Sequence, residues 1–256
     1  MPYWADQLTD DVDASASFYR EVLGWEVSSA DNNGDYRIGR VEGLPISGFI
    51  PQDAQAAMPN TWVTYFLSRD IEKDLEKAEK LGGKAMSVPQ DVARGTMAVV
   101  ADPVGGVFGL LQPPAGEQFV AGGEPGCPVW HELTVTHDFQ QALDFYGRLF
   151  DWELHTTDEY ATAEEEGAAF AGLWNAEGVV PTGGMVFWQS YLGVRDIAKA
   201  AAAVERLGGE VVRGPAESPF GPVCLVRDPV GAAVTLAEVP EPPEEEPRES
   251  DDVLGG

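Results

Sequence analysis

The sequence predicts an α+β protein of two tandem domains, each a pair of βαβββ modules, four modules in all. Three observations carry that prediction. The chain repeats itself nearly end to end. Within each copy, strand-like alternation is interrupted twice by an amphipathic helical pattern. The connections are rich in turn formers, with 29 glycines and 19 prolines in 256 residues, as suits many short strands.

The repeat is legible residue by residue. ASASFYREVLGWEV at 14–27 returns as QALDFYGRLFDWEL at 141–154, so Phe18, Tyr19 and Trp25 match Phe145, Tyr146 and Trp152. Tyr36 and Gly48 match Tyr160 and Gly172. From Trp62 onward the offset is a constant 126 residues. It pairs Trp62 with Trp188, Tyr65 with Tyr191 and Asp70 with Asp196. It also pairs Leu81-Gly82-Gly83 with Leu207-Gly208-Gly209, and Asp102-Pro103-Val104-Gly105 with Asp228-Pro229-Val230-Gly231. The expected domains are 1–113 and 127–240, joined by a Pro- and Gly-rich linker at 114–126. The acidic, proline-rich segment 241–256 is too poor in apolar residues to fold and is expected to be a disordered tail.

Elements follow in order along the first copy. A strand over PYWADQL (2–8) leads to a helix capped by Asp11 or Asp13, with Phe18, Val22 and Leu23 on one face. Three strands are expected around 25–29, 36–40 and 45–49. The second module opens with a strand at 61–68. Its helix runs from an N-cap at Asp70 to Gly82-Gly83 at the C-cap. Strands at 84–88, 96–101 and 107–112 complete it, with DPVGG (102–106) as the turn before the last.

The net charge of −27 excludes easy partners. Such a surface repels phosphate backbones and anionic membranes, so neither nucleic acid nor membrane is an expected partner. The acidity reads either as attraction for a cationic ligand or as a solubility or salt adaptation. No apolar run approaches the roughly 20 residues that span a bilayer. MPYWADQLTDD has no basic region followed by an apolar stretch, so no signal peptide is expected. Cys127 and Cys224 are the only cysteines and no C-x-x-C occurs. The expectation is a reduced, cytoplasmic protein, a monomer or a weak homodimer, with a small-molecule ligand as its partner.

Four marks occur in the same order in both copies: FY-x(5)-W after the first helix, Asp opening the second helix, LGG closing it, and DPxG before the last strand. Together they cover nearly the whole chain. They resemble the vicinal oxygen chelate superfamily, which contains glyoxalases, bleomycin-resistance proteins and extradiol dioxygenases. Trp4-Ala5-Asp6 and Trp130-His131-Glu132, with W-x-x-Y before the second helix of each copy, resemble its tandem glyoxalase-like subgroup. The resemblance implies two glyoxalase-like domains whose curved mixed sheets each surround a cavity. It also implies a divalent metal held by His and Glu from the first, fifth and eighth strands, with the fourth adding a ligand in glyoxalases.

Carried onto this sequence, those ligand positions are Trp4 and Trp130 on the first strand, Val63 and Gln189 on the fifth, and Gly109 and Thr235 on the last. Such metal sites need about three His or carboxylate side chains. None of the six supplies one, so neither a metal nor any other cofactor is expected. His131 stands next to Trp130 and reads either as a lone ligand or as a hydrogen-bonded histidine. His137 and His155 fall away from the cavity strands.

Alternation along a strand tells which side chains share a face. Trp4, Asp6 and Leu8 share one, as do Trp130 and Glu132. Val63 goes with Tyr65, and Gln189 with Tyr191. Each cavity is therefore expected to present a tryptophan, a tyrosine and a carboxylate, with Gly109 or Thr235 behind them. The aromatics read either as walls for a flat or cationic ligand or as filler of the space a metal would take. Asp6 and Glu132 read either as carboxylates tied to a donor or as general bases of raised pKa. Cys224, among apolar residues, reads as a buried inert thiol. The leading expectation is a metal-independent small-molecule-binding protein. Behind it stand a cofactor-free lyase or isomerase using Asp6 or Glu132 as base, with Tyr65 or Tyr191 steadying the enolate, and a scaffold without ligand. Glyoxalase or dioxygenase activity comes last.

Overall fold

The computed structural model describes residues 1–30, 35–55, 58–117, 123–179, 184–219 and 221–240; the tail expected at 241–256 lies outside the described residues. The first half runs β1 (Pro2–Thr9), α1 (Val12–Leu23), β2 (Glu26–Ser29), β3 (Arg37–Val41) and β4 (Leu44–Pro51). It continues with β5 (Thr61–Leu67), α2 (Ile71–Lys80), β6 (Lys84–Ala85), β7 (Gln90–Val92), β8 (Gly95–Ala101) and β9 (Val107–Gln112). The second half repeats this as β10 (Pro128–Val135), α3 (Phe139–Phe150), β11 (Glu153–Thr156), β12 (Tyr160–Glu165), β13 (Ala168–Asn175), β14 (Phe187–Val194), α4 (Ile197–Arg206), β15 (Glu210–Ser218), β16 (Gly221–Arg227) and β17 (Ala233–Glu238).

Each half forms one curled mixed sheet, in the order β2-β3-β4-β1-β5-β9-β8-β6 and β11-β12-β13-β10-β14-β17-β16-β15. The modules meet where β1 runs antiparallel to β5, and β10 to β14. Inside a module the crossover is parallel, β1 with β4 and β5 with β9, because the intervening helix returns the chain to the same end of the sheet.

Local chemistry sets the element ends. Asp11, of the two candidates, caps α1 by accepting the Ala14 N–H at 2.9 Å. Asp70 and Asp196 cap α2 and α4 through the N–H groups of Lys73 and Lys199. The expected strand at 84–88 is cut to Lys84–Ala85. There the Ser87 hydroxyl takes the Val99 N–H at 3.0 Å in place of a backbone carbonyl, and Pro89 has no N–H to extend the ladder. Pairing with β8 resumes at β7.

The core does not divide between the halves. One apolar cluster joins Phe18, Tyr19, Trp25, Phe49 and Trp62 to Val204, Val226 and Leu236. Its twin joins Phe145, Tyr146, Trp152 and Trp188 to Phe66, Ala78, Phe108 and Leu110. The helices α1 and α4 meet in one cluster and α2 and α3 in the other. Repeat-signature residues tie the halves together. The Tyr19 hydroxyl donates to Asp228 at 3.1 Å and accepts from Trp62 Nε1 at 3.0 Å; the Gln7 amide also donates to Asp228. In the twin, Tyr146 donates to Asp102 and accepts from Trp188 Nε1, both at 2.8 Å. The other oxygen of each aspartate holds its own turn, through the N–H groups of Val104 and Gly106 or Val230 and Ala232. Each DPxG aspartate thus shapes a turn and clasps the opposite half.

Candidate functional site

The strand register builds two equivalent sites. Trp4 lies opposite Tyr65 and Asp6 opposite Val63 across β1–β5, and Tyr65 lies opposite Gly109 across β5–β9. In the second half Trp130 lies opposite Tyr191, Glu132 opposite Gln189, and Tyr191 opposite Thr235. The register therefore makes Trp130, and not His131, the counterpart of Trp4.

His131 points to the other face of β10, into the seam between the halves. Its Nδ1 is 3.1 Å from Ser190 Oγ and 3.5 Å from Thr64 Oγ1. Burial, which disfavours the imidazolium, pushes its pKa down to about 4. Of its two expected roles the hydrogen-bonded one describes this position. His155 Nε2 lies 3.6 Å from Glu153 Oε1 and 3.3 Å from Glu164 Oε2 on the sheet's exposed edge.

The first-half cavity, about 370 Å³, is lined by Trp4, Asp6, Tyr36, Tyr65, Arg94 and Met97, with Asp35, Gln90 and further apolar side chains. Asp6 Oδ1 accepts the Trp4 indole N–H and the Tyr36 hydroxyl, each at 2.8 Å, and the Tyr65 hydroxyl bonds the same carboxylate. Asp6 is 5% exposed and Tyr65 2%. Burial pushes the Asp6 carboxyl up to about 6 against the pull of Tyr36, Trp4, the Arg94 charge and Tyr65. Two glycines make the packing possible. A Cβ on Gly48 would sit 2.1 Å from the Tyr36 hydroxyl and 2.2 Å from Asp6 Oδ1. A Cβ on Gly109 would sit 2.0 Å from the Tyr65 ring, which lies flat on that strand. Gly109 is thus a floor beneath Tyr65, and Val63 packs among Trp4 and Tyr65; neither lines the cavity directly.

The second-half cavity is larger, about 570 Å³, with walls that include Trp130, Glu132, Tyr160, Trp174 and Tyr191. Trp130, Glu132, Tyr160 and Tyr191 are half-buried. Glu132 accepts the Tyr160 hydroxyl at 3.0 Å on one oxygen. Its other oxygen accepts the Tyr191 hydroxyl at 3.1 Å and the Gln189 amide at 3.3 Å. The Thr235 hydroxyl donates to Gln189 at 3.3 Å, so Thr235 and Gln189 orient the carboxylate from behind. Burial raises the Glu132 pKa, and the Tyr160, Tyr191 and Gln189 bonds offset part of the rise.

Four wall residues escaped the sequence reading. Tyr36 and Tyr160 had a signal, since they pair in the repeat alongside Gly48 and Gly172. Trp174 and Arg94 lie outside the repeat marks. Arg94 stacks its guanidinium 4.1 Å over the Trp4 ring. At the 126-residue offset its counterpart is Phe220, which lies outside the described residues.

The donor set does not fit a divalent transition metal. The six positions equivalent to ligands carry indoles, an isopropyl, an amide, a hydrogen and a hydroxyl. Each cavity's network has one central carboxylate, already accepting three side-chain donors. Among the described residues no group of three His, Cys, Asp or Glu is placed to hold a metal ion. About three such ligands are required.

Comparison with known proteins agrees with this architecture. The sequence profile of the Glyoxalase/Bleomycin resistance protein/Dioxygenase superfamily matches residues 4–108 and 131–236. The anthracycline biosynthesis protein DnrV of Streptomyces peucetius is 30% identical over 260 residues, covering 94% of each chain. The putative glyoxylase CFP32 of Mycobacterium tuberculosis is 28% identical over 245 residues, covering 92% of this chain and 93% of the relative. The crystal structure of the 2,3-dioxygenase LapB from Pseudomonas sp. KL28 superposes with a TM-score of 0.64 at 14% identity, over 96% of this chain and 95% of that one. That likeness is one of fold. With both halves matched by the profile, the chain belongs to the glyoxalase, bleomycin resistance protein and dioxygenase superfamily.

Proposed function

We propose that this protein is a metal-independent small-molecule-binding member of the superfamily, enclosing a flat aromatic or cationic compound in the second-half cavity. One observation carries the reading. Trp130, Tyr160, Trp174 and Tyr191 wall a half-open space around Glu132, with no lysine or arginine in its described lining. Aromatic faces stack on flat rings and attract cations, and an unneutralised carboxylate adds to that attraction. The poor fit of the donor set to a metal supports binding that does not require one. Two relatives are named for anthracycline biosynthesis, which makes an anthracycline the first probe.

Calorimetric titration of chelator-treated protein with an anthracycline tests this. Saturable binding is expected, weakened about tenfold or more by Trp130→Ala, the usual scale for losing a central aromatic anchor. Absence of binding by anthracyclines and simple aromatic amines alike overturns the reading.

A second reading, a cofactor-free lyase or isomerase, is favoured by the raised pKa of a half-exposed Glu132 beside the Tyr191 hydroxyl. It expects turnover that Glu132→Gln abolishes while ligand binding persists.

A further inference from the structure

We propose that the first-half cavity is a second, chemically distinct site, which takes a planar aromatic carboxylate recognised by Arg94. The proposal rests on the reading that these cavities bind aromatic compounds, and it adds a charge requirement to one of the two.

Arg94 directly precedes β8, and its side chain is only 15% exposed. The guanidinium lies on the Trp4 indole face inside the cavity lining. Its buried Nε has no hydrogen-bond partner. Among the described residues the one carboxylate within ion-pair distance is Glu117, at 3.8 Å from a terminal nitrogen, longer than a charge-assisted hydrogen bond of about 2.7–2.9 Å. The Tyr3 hydroxyl lies against Arg94. Asp6 is already engaged by Trp4, Tyr36 and Tyr65. A nearly buried guanidinium with five donors and so few acceptors is costly without an anion. In a chain of net charge −27, such a cation is out of keeping with its surroundings.

The planar fork of arginine matches a carboxylate in bidentate fashion. A carboxylate joined to an aromatic ring lies coplanar with that ring. The ring then meets the apolar part of the lining, Ile50, Met97 and Leu111, while the carboxylate takes the place of the loosely held Glu117. The described lining of the second cavity holds Glu132 and Glu159 with no basic residue. Arg94 thus gives the first cavity, beside Asp6 and Asp35, a cation that the described lining of the second lacks.

The test is calorimetric titration of the full chain with 2-naphthoate and with its neutral isostere, naphthalene-2-carboxamide. The wild type is expected to bind the carboxylate about tenfold more tightly, the scale of a charge-assisted bidentate pair. Arg94→Gln is expected to erase that preference while leaving the binding of an aromatic amine to the second-half cavity intact. Glu117→Gln is expected to tighten naphthoate binding a few-fold by removing the competing charge. Equal affinity for carboxylate and amide in the wild type, or an unaltered preference in Arg94→Gln, overturns the proposal and leaves the aromatic reading standing. Failure of naphthoate, carboxamide and amine alike overturns both.

Discussion

The two cavities share a strand register but not a shape. In the first, Tyr65 lies flat on Gly109, donates to Asp6 and is almost wholly buried. In the second, Thr235 occupies the Gly109 position, and Tyr191 is half-exposed above a cavity of about 570 Å³, against about 370 Å³. The side chain at one position of the last strand separates a sealed aromatic floor from an open aromatic wall. Charge parts them again, since Arg94 faces Asp6 in the first while Glu132 has no cation in the described lining of the second. A repeated scaffold can thus hold two sites of different chemistry, because the residues that keep the fold are not those that face the cavity.

The largest effect that would sharpen this contrast concerns the seam, where Ala5 of the first half is matched by His131 of the second. With its pKa depressed to about 4 in the fold and near 6.5 when unfolded, His131 binds more protons in the unfolded chain between those values. Its contribution is fully present above about pH 6.5 and is lost as pH falls towards 4, by about 3 kcal/mol in all. Denaturation across that range should show a shallower fall for His131→Ala, and an unchanged slope would contradict the buried, neutral imidazole.

Asp6 carries the opposite sign. Its folded pKa of about 6 exceeds the unfolded value of about 3.9, so stability is full below the unfolded value and falls as pH rises through 6. Asp6→Asn should therefore gain up to about 3 kcal/mol over the wild type at pH 8 and almost nothing at pH 4. Glu132→Gln, at a half-exposed position, should gain less. A larger gain at Glu132 would reverse the ranking of the two cavities.

Smaller, and most direct, is the exchange at the last strand. Gly109→Thr should cost about 1–3 kcal/mol by driving the Tyr65 ring off the strand. Thr235→Gly should cost about 1 kcal/mol and let the Tyr191 ring settle onto the last strand. Urea denaturation measures both, and equal costs would deny that this position sets the difference.

Much of the site could be read along the chain. Alternation placed Trp4 with Asp6 and Trp130 with Glu132, and the repeat aligned Tyr65 with Tyr191. Arg94 was missed because it has no twin, and a comparison of two copies finds only what both retain. The register sets Thr235 and Gly109 opposite Tyr191 and Tyr65, but their effect depends on the ring above them.

What local pattern conveys here is the order of strands, the face each side chain takes and the caps at Asp11, Asp70 and Asp196, because period and capping are properties of neighbours in sequence. Which half supplies the partner is another matter. That Tyr19 clasps Asp228 and Tyr146 clasps Asp102, and that His131 rests against Thr64 and Ser190, follow from packing between segments far apart in the chain. No periodicity encodes those meetings; they arise because each helix layer buries its apolar face against the other half, and only the folded arrangement brings the polar groups within reach of one another.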